Sequence, residues 1–408
     1  MTTETETGES VGLPDFPGTR SGRCPFDPPA EYAQWRSGQG LQQVQTSIGR
    51  SAWAVSRFED AKVVLNDPRF SADAHRFPQL VNNAQTPGQT QVFPRMDDPE
   101  HARIRRMFTG EFTVKRVEAL RPRIRELING LLDEMTGQRQ RPTDLVRAYA
   151  LPVPSLVISL VLGVPYEDHR FFQEQSGVLN HREASREEKI VASEALSAYL
   201  LDLVDRKERE PGDDLISRLL VERVATGELS RRELTINCRT ILSAGHETTA
   251  NMIGLGTLAL LENPEQAARV RDTDDPKLIA GAVEELLRYL SIIQEHVNRV
   301  ATEDLTVGGQ QVRAGDLLTV NVPAANRDTH FDDPDVFDID RTVTGKHVAF
   351  GHGIHQCLGQ TLARVEMQEA LSMLLRRLPT LRLAVPLEEV RFRHDMATFG
   401  VHELPVTW

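Results

Sequence analysis

Apolar residues recur at three- and four-residue spacing through the middle of the chain, a pattern typical of amphipathic helices. The pattern extends from about residue 99 to residue 262. The clearest predicted helices lie at 116–136, 185–210, 231–261, 276–289 and 358–375. The body of the protein is therefore expected to be mainly α-helical.

Short apolar and β-branched runs on either side of this body predict a smaller strand-rich portion. The predicted strands lie at 52–56, 305–307, 311–312 and 317–322, with strand-like stretches at 390–393 and 396–399. A helix at 57–66 is expected to end at Asp67-Pro68, because the residue before a proline avoids helical dihedral angles. The predicted fold class is mainly α with a smaller β-rich portion.

No repeat or linker divides the chain, so residues 23–408 are predicted to form one domain, although 408 residues can accommodate two or three. Residues 1–22 are polar and rich in Thr, Glu and Gly, and we expect a flexible N-terminal segment there. Residues 75–94 are rich in Pro, Gly and Gln and predict a long loop, which in compact domains is often a functional lid.

The composition narrows the possible partners and location. The chain has 47 basic and 59 acidic residues, a net charge of −12, which argues against nucleic acid as the main partner. Three scattered cysteines do not suggest a disulfide framework, so a cytoplasmic location is expected. The chain contains no run of about 18 apolar residues, and its polar N-terminus does not resemble a signal peptide, so no membrane association is expected.

The most informative stretch of the chain is residues 350–359, in which one cysteine is surrounded by glycines and histidines. Cys357 directly precedes a predicted helix, where the dipole and unpaired N–H groups are expected to lower its pKa and favour an anionic ligand. Gly351 and Gly359 allow a flat cofactor to approach the backbone closely, and Phe350 is suited to cover one face of it. The alternative is a buried free cysteine beside an ordinary turn.

This stretch matches F-x-x-G-x-x-x-C-x-G and resembles the haem-binding loop of the cytochrome P450 family. The resemblance implies the cytochrome P450 fold, with a long central helix over haem b (iron protoporphyrin IX) and Cys357 as the axial thiolate. A thiolate ligand favours O–O cleavage. The implied activity is that of a monooxygenase, which inserts one oxygen atom from O2 into an unactivated C–H bond.

A second unusual cluster interrupts the predicted helix 231–261. Gly245 costs about 1 kcal/mol relative to alanine in a helix interior, and the two threonines that follow add crowding. The resemblance places an oxygen-binding groove at Ala244 and Gly245, and assigns Glu247 and Thr248 to a proton relay. We expect Thr249 to bond a preceding carbonyl. The alternative is a kinked core helix.

Glu285 and Arg288 form an E-x-x-R pair on one predicted helix. Opposite charges at this spacing are common and contribute only about 0.2–0.5 kcal/mol on a surface. The resemblance instead implies a buried pair joined by Arg341. This network is expected to hold the coil that presents the cysteine loop.

His101 and Arg105 fall on one helical face at i, i+4. Buried propionates need charge-assisted donors. The resemblance assigns four side chains to the haem propionates: His101, Arg105, Arg299 and His355. The alternative is a solvated basic face, which we prefer for Arg103 and Arg106. These two arginines are also candidates for a docking surface that receives an acidic electron donor.

The substrate pocket implied by the resemblance is lined in part by the segments 290–297 and 398–401. Ile292, Ile293, Phe399 and Val401 are expected to make it apolar near the iron. This lining suits a mid-sized hydrophobic molecule, such as a polyketide, macrolide, steroid or xenobiotic.

Three cysteines cannot supply a four-cysteine cluster, and the chain contains no flavin segment. Electrons are therefore expected from separate proteins. The resemblance implies a ferredoxin served by an NAD(P)H-dependent ferredoxin reductase, and a monomer is expected. Two alternatives remain open. One is a same-fold desaturase, ring-coupling or peroxide-driven enzyme, and the other is a non-catalytic haem-thiolate sensor.

Overall fold

The computed structural model describes residues 12–20, 24–38, 40–80, 92–137, 142–181, 184–342 and 346–408, which are mostly helical. The helices are α1 (Glu31–Ser37), α2 (Phe58–Asn66), α3 (Glu100–Thr109), α4 (Val114–Gly137), α5 (Pro152–Leu162), α6 (His169–Asn180), α7 (Arg186–Arg209), α8 (Leu215–Leu219), α9 (Arg231–Leu261), α10 (Pro264–Asp272), α11 (Pro276–Leu290), α12 (Val322–Ala325) and α13 (Gln360–Arg377). The strands are β1 (Asp15–Phe16), β2 (Leu41–Thr46), β3 (Ser51–Val55), β4 (Phe70–Ser71), β5 (Thr143–Asp144), β6 (Asn298–Ala301), β7 (Leu305–Val307), β8 (Gln310–Val312), β9 (Leu317–Val320), β10 (Arg382–Leu383) and β11 (Pro405–Thr407).

The long helices follow the sequence periodicity closely, and the mainly α-helical fold class is confirmed. Helix α9 spans the predicted residues, and α4, α7, α11 and α13 differ from their predictions by at most two residues at either end. Ser230 and Glu233 form a capping box at the start of α9. Such a cap pairs backbone N–H groups that a helix terminus otherwise leaves unsatisfied.

A six-stranded sheet in the order β1-β2-β3-β9-β6-β4 forms the main β portion. Strand β9 is parallel to β3 and antiparallel to β6, and in this register Arg299 pairs with Leu318. Strands β10, β11 and β5 form a second sheet, and β7 pairs with β8. The main sheet thereby places Arg299 next to the cysteine loop.

Three predicted strand segments differ clearly from the structure. The strand predicted at 317–322 ends at Val320, because Asn321 caps α12 and Pro323 cannot donate to a sheet ladder. The stretches at 390–393 and 396–399 form isolated bridges, among them Ile293 with Thr398. Within the predicted loop 75–94 the structure shows short 3₁₀ turns at its two ends, and residues 81–91 lie outside the described residues.

The N-terminal expectation also needs correction for part of its range. Asp15 and Phe16 pair in parallel with β2, and the Arg20 side chain is buried. The Arg20 guanidinium lies 3.9 Å from the centre of the Phe399 ring and donates to the Phe26 carbonyl at 3.2 Å. These contacts hold the described part of the segment against the rest of the protein, whereas its polar composition suggested a flexible segment. Residues 1–11 and 21–23 lie outside the described residues.

Helix α9 is the centre of the hydrophobic core. It contacts α5, α7, α10, α11 and α13, and its second half is almost fully buried. Helices α9 and α13 both contribute lining to the cavities described below. Among the described residues, none of the helices combines the length and apolar composition needed to cross a bilayer.

Candidate active site

Two adjoining cavities separate α9 from the loop that precedes α13. Their volumes are about 420 and 210 Å³, and the larger one is mostly apolar. The residues that line both cavities are Pro94, Ala244, Thr248, Thr249, Phe350, His355, Cys357 and Ala363. The sequence-predicted cysteine and the threonine cluster are therefore brought together in one space, although 109 positions separate Thr248 from Cys357.

The loop from Phe350 to Cys357 is shaped by its own backbone bonds. The Cys357 N–H donates to the Phe350 carbonyl at 2.9 Å, and the Gly351 N–H donates to the Val348 carbonyl at 2.9 Å. Gly353 has φ +71°, and a Cβ there would lie 2.7 Å from the Leu65 carbonyl oxygen, so only glycine fits. The loop therefore packs tightly against α2 while it presents Cys357 to the cavities.

The pKa of Cys357 is raised, whereas the sequence predicted that it would be lowered. Burial deep in the protein is the largest cause, although the sulfur faces the open cavity. The backbone N–H groups of Gly359 and Gln360 and the charge of Arg105 act in the opposite direction, as expected for a helix N-terminus. Desolvation outweighs them, so a thiolate at this position needs a further positive charge beside it, which a metal ion supplies.

Cationic side chains border the cavities where β6 and α3 meet the cysteine loop. The ring centres of His101 and His355 lie 4.2 Å apart, and His101 Nε2 and His355 Nδ1 are buried without a described partner. Burial, followed by the charges of Arg299 and other neighbours, lowers the pKa of His355 to about 2. Burial also lowers the pKa of Arg299 to about 10. The cluster therefore repels added positive charge and favours an anion.

This arrangement fits the cofactor implied by the sequence. Buried cations and unsatisfied ring nitrogens are stabilised by carboxylates, and a haem carries two propionates. The bond described for the Arg299 side chain goes to the neighbouring Asn298 carbonyl at 2.8 Å, which leaves further guanidinium donors for such a group. Arg95, which the sequence analysis missed, contributes another positive charge near Arg299 and His355.

Arg105 and its neighbours occupy different positions on α3. Arg105 lines the smaller cavity, and its Nη2 donates to the Gln356 carbonyl, so it also braces the cysteine loop. Arg103 is not a free surface cation, because it pairs with Glu100 at 2.8 Å and with Glu233 on α9. Arg106 is exposed, and its Nε donates to the Ala102 carbonyl at 3.1 Å. Of the two arginines considered for docking, Arg106 is the more exposed, and Arg103 is held in ion pairs.

On the opposite side of the cavities, α9 continues through the threonine cluster without a break. The Thr248 hydroxyl donates to the Ala244 carbonyl at 2.7 Å, a bond that we had expected from Thr249. A Cβ on Gly245 would lie 3.1 Å from the Ile158 side chain, so contact with α5 favours this glycine. Both Ala244 and Gly245 line the smaller cavity.

Glu247 points toward a residue that the sequence analysis missed. Its carboxylate accepts a bond from Arg393 at 2.9 Å, and both side chains are at least nine-tenths buried. Glu247 is absent from the lining of the two cavities, whereas Thr248 lines both. No local signal could have revealed this pair, because Arg393 lies 146 positions further along the chain.

The four apolar residues predicted to contact substrate separate into two pairs. Ile292 and Ile293 line the larger cavity. Phe399 packs against Arg20 and stacks on Phe392, and Val401 packs against α9 near Gly254. The lining of the two described cavities does not include Phe399 or Val401. The Phe399 N–H donates to the Ile292 carbonyl at 2.9 Å, so this residue supports the cavity wall from behind.

Glu366 on α13 is another residue that the sequence analysis missed. It lines the smaller cavity, and its Oε2 is buried without a described partner. Burial raises its pKa well above the usual range, which favours the neutral form of the carboxyl group.

The expected support network is present beneath the cysteine loop. Arg288 donates to Glu285 at 2.7 and 2.8 Å, and Arg341 reaches the same carboxylate at 3.2 Å. Arg288 also donates to the carbonyls of Asn326 and Pro334. Glu285 and Arg288 are fully buried, so the network fixes the coil between α12 and the cysteine loop.

Replacing Arg288 by leucine is expected to lower the free energy of unfolding by about 3–5 kcal/mol, because a buried carboxylate loses its partner. Urea unfolding followed by tryptophan fluorescence measures the change. Arg269→Leu is the matched control, because Arg269 forms an exposed pair with Asp340 and its loss should leave the midpoint nearly unchanged. Equal midpoints for the two variants would contradict the assignment.

A second buried network, which the sequence analysis missed, lies beside Phe350. Burial opposes ionisation of Glu284, but hydrogen bonds from His347 and Arg364 outweigh it and lower the pKa of Glu284 to about 2. The Arg364 guanidinium lies 4.5 Å from the centre of the Phe350 ring. The network thereby anchors both sides of the cysteine loop.

Because the pKa of Glu284 falls from its usual 4.5 to about 2 on folding, the folded state binds fewer protons in that pH interval. The stabilisation by Glu284 is therefore complete above pH 4.5 and is lost as the pH falls toward 2. We expect Glu284→Gln to flatten the pH dependence of unfolding in this window. Denaturant titrations at several pH values test this, with the exposed Glu388→Gln as control. An unchanged slope in Glu284→Gln would refute it.

Comparison with known proteins agrees with this geometry. The sequence model of the Cytochrome P450 family matches residues 47–209 and 182–389. Cytochrome P450-SU2 of Streptomyces griseolus is 50% identical over 98% of this chain and 100% of its own length. Vitamin D3 dihydroxylase of the same species is 44% identical over 100% of both chains.

The solved structure of the mycinamicin VIII C21 methyl hydroxylase MycCI from Micromonospora griseorubida, bound to mycinamicin VIII, is 40% identical. It matches with a TM-score of 0.90 and covers 97% of this chain and 100% of its own. The fold, the cysteine loop and these full-length matches lead to the same conclusion. This chain belongs to the cytochrome P450 family and is a monooxygenase that uses haem.

Proposed function

We propose that this enzyme inserts one oxygen atom from O2 into an unactivated C–H bond of a mid-sized, mostly apolar substrate. The observation that carries the proposal is the mostly apolar cavity between α9 and the cysteine loop, which both Cys357 and Thr248 line. Macrolides, polyketides, steroids and comparable xenobiotics have the apolar character that this lining suits. The similarity to a mycinamicin hydroxylase and to vitamin D3 dihydroxylase supports this substrate class.

In this proposal the cysteine loop and the cationic cluster hold haem b. Cys357 is the iron ligand, and Phe350, Gly351 and Gly359 shape the loop that carries it. His101, Arg105, Arg299 and His355 hold the propionates. Bound haem supplies dioxygen activation through a thiolate-ligated iron. The site lies between α9 and α13, and its mostly apolar lining disfavours water there.

The protein also has to deliver protons to the side of the cavity formed by α9. Thr248 faces both cavities, and its hydroxyl is held by the Ala244 carbonyl at 2.7 Å. Glu247 immediately precedes Thr248 on the helix and is held by Arg393 at 2.9 Å. We assign the Thr248 hydroxyl as the group that delivers protons into the cavity. Glu247 is assigned as the carboxylate that supplies protons to Thr248.

Electrons have to come from outside the chain, because three cysteines cannot hold a four-cysteine cluster in addition to haem. A ferredoxin and its NAD(P)H-dependent reductase are the proposed donors, with the enzyme acting as a monomer. Peroxide-driven chemistry is a same-fold alternative. Turnover with hydrogen peroxide alone, equal to that with the ferredoxin system, would favour the alternative.

The direct test combines spectroscopy with product analysis. The ferrous carbon monoxide complex should show the strongly red-shifted Soret band of a thiolate ligand. A panel of macrolides and steroids should include compounds that shift the ferric spin state. Mass spectrometry should then find products heavier by one oxygen atom that is labelled from ¹⁸O₂. Desaturated or coupled products without the label would contradict the proposed reaction.

Thr248→Val is expected to reduce product formation on the order of 10²-fold, the lower end of the range for general acid–base catalysis. Oxygen consumption should persist and yield peroxide instead of product. The matched control is Thr257→Val, because Thr257 makes the same type of bond on α9, to Ile253 at 2.8 Å, away from the cavities. Full coupling of electrons to product in Thr248→Val would refute the assignment.

A further inference from the structure

One amide side chain connects the wall of the larger cavity with the cysteine loop. Asn326 follows α12 and is fully buried. Its Oδ1 accepts a bond from the Val348 N–H at 2.8 Å, and its Nδ2 donates to the Ser291 hydroxyl at 2.9 Å. Its carbonyl accepts from Arg288 at 2.9 Å. Asn326 therefore touches the support network, the cavity wall and the cysteine loop at once.

On the cavity side, Asn326 bonds to Ser291, the first of the three consecutive residues 291–293 in the wall of the larger cavity. Ser291 follows α11 with φ +41°, a left-handed conformation that costs free energy in a residue other than glycine. Its hydroxyl donates to the Arg288 carbonyl at 2.8 Å and accepts from Asn326. The hydroxyl is thus fully used in fixing the turn. Ser291 lines the larger cavity together with Ile292 and Ile293, which follow directly.

On the loop side, Asn326 fixes the residue at which the cysteine loop begins. The Val348 carbonyl accepts the Gly351 N–H at 2.9 Å, and the Phe350 carbonyl accepts the Cys357 N–H at 2.9 Å. A displacement of Val348 would therefore be passed to the turn at Gly351 and from there to Cys357. The three segments are otherwise distant in sequence, since Asn326 lies 35 positions after Ser291 and 22 before Val348.

The chemistry of this position requires an amide. Asn326 offers an acceptor and a donor on the same carbon, whereas an aspartate offers no donor and leucine offers neither. Both partners are buried, so each unmade bond would leave a polar group without water. The amide of Asn326 is therefore needed for its two hydrogen bonds and not only for its volume.

We propose that Asn326 is a positioning residue that couples the cavity wall at 291–293 to the cysteine loop. A molecule that packs against Ile292 and Ile293 then alters the stability of the loop bond between Val348 and Asn326. The proposal concerns the haem pocket itself and goes beyond the oxidation of any particular substrate. It holds or fails whether or not the enzyme hydroxylates macrolides or steroids.

Hydrogen exchange in the haem-loaded protein tests this coupling. The probe is 4-phenylimidazole, a compact apolar molecule whose imidazole can ligate haem iron from the cavity side. In the parent protein, this ligand should change the exchange rate of peptides that contain Val348 by at least about threefold, since local opening reports local stability. In Ser291→Ala the ligand should still bind, as its absorbance titration will show, but the exchange difference should disappear.

The matched control is Ser159→Ala, which removes a buried hydroxyl on α5 that has no described partner. This control should keep the ligand-dependent difference. Asn326→Asp is the second variant, because it retains the acceptor for Val348 and lacks the donor to Ser291. Asn326→Asp should also lose the ligand-dependent difference in hydrogen exchange. If Asn326→Asp does not fold, the result with Ser291→Ala alone tests the coupling. An undiminished ligand response in Ser291→Ala, or the lack of any response in the parent, would overturn the proposal.

Discussion

Replacing Cys357 by alanine is expected to abolish both the thiolate-type Soret band and turnover. The side chain faces the cavities, and the backbone bond from Cys357 to Phe350 does not involve the sulfur. Loss of the sulfur should therefore leave the loop folded while it removes the proposed iron ligand. The cationic residues around His355 remain, so a weakly held haem without a thiolate ligand is the expected product.

Absorbance of the ferrous carbon monoxide complex, together with product formation, measures this effect. The chain offers two matched controls, since Cys24 is half-buried and Cys238 is buried in α9, and neither lines the two cavities. Cys24→Ala and Cys238→Ala should keep the spectrum and activity of the parent. If Cys357→Ala retained the red-shifted band, the assignment of the haem ligand would be wrong.

Replacing Glu247 by glutamine is expected to have two separable effects. Turnover should fall about 10²- to 10⁴-fold, the usual range for removal of a general acid–base group. Stability should also fall by about 3–5 kcal/mol, because Arg393 keeps its charge in a buried site without its partner. Steady-state kinetics and denaturant unfolding measure the two effects independently.

The double variant Glu247→Gln/Arg393→Met distinguishes the chemistry from the structural role. Removing both charges takes away the unpaired buried cation, so most of the lost stability should return. Turnover should stay low, because the proton-supplying carboxylate is still absent. Recovery of turnover in the double variant would show that Glu247 serves only to neutralise Arg393.

Several parts of the site could be predicted because their signals are local. The ten residues of the cysteine loop carry their own turn chemistry, and His101 and Arg105 share a face through helical spacing. Ile292 and Ile293 lie next to each other and reach the cavity wall together. In each case the relevant residues are neighbours along the chain, so sequence spacing translates directly into spatial proximity.

The incorrect expectations share a different cause. The rise in the pKa of Cys357 comes from desolvation by distant segments, whereas the helix N-terminus that suggested a lowering is local. Phe399 was expected in the cavity, but its segment forms isolated bridges without regular alternation, and Arg20 covers its ring. Arg20 lies in a segment whose polar composition indicated flexibility. Burial and orientation of this kind depend on which distant segments meet.

The chain alone specified the long helices, the cysteine just before α13 and the family of the enzyme, because periodicity, capping and a contiguous motif act over a few residues. Folding was needed to decide that Arg393 holds Glu247, that Asn326 joins Ser291 to Val348, and that Glu284 takes its partners from the segment just before the cysteine loop and from α13. Those contacts connect residues tens to hundreds of positions apart. A hydrogen bond depends on distance and direction in space, which sequence separation does not encode.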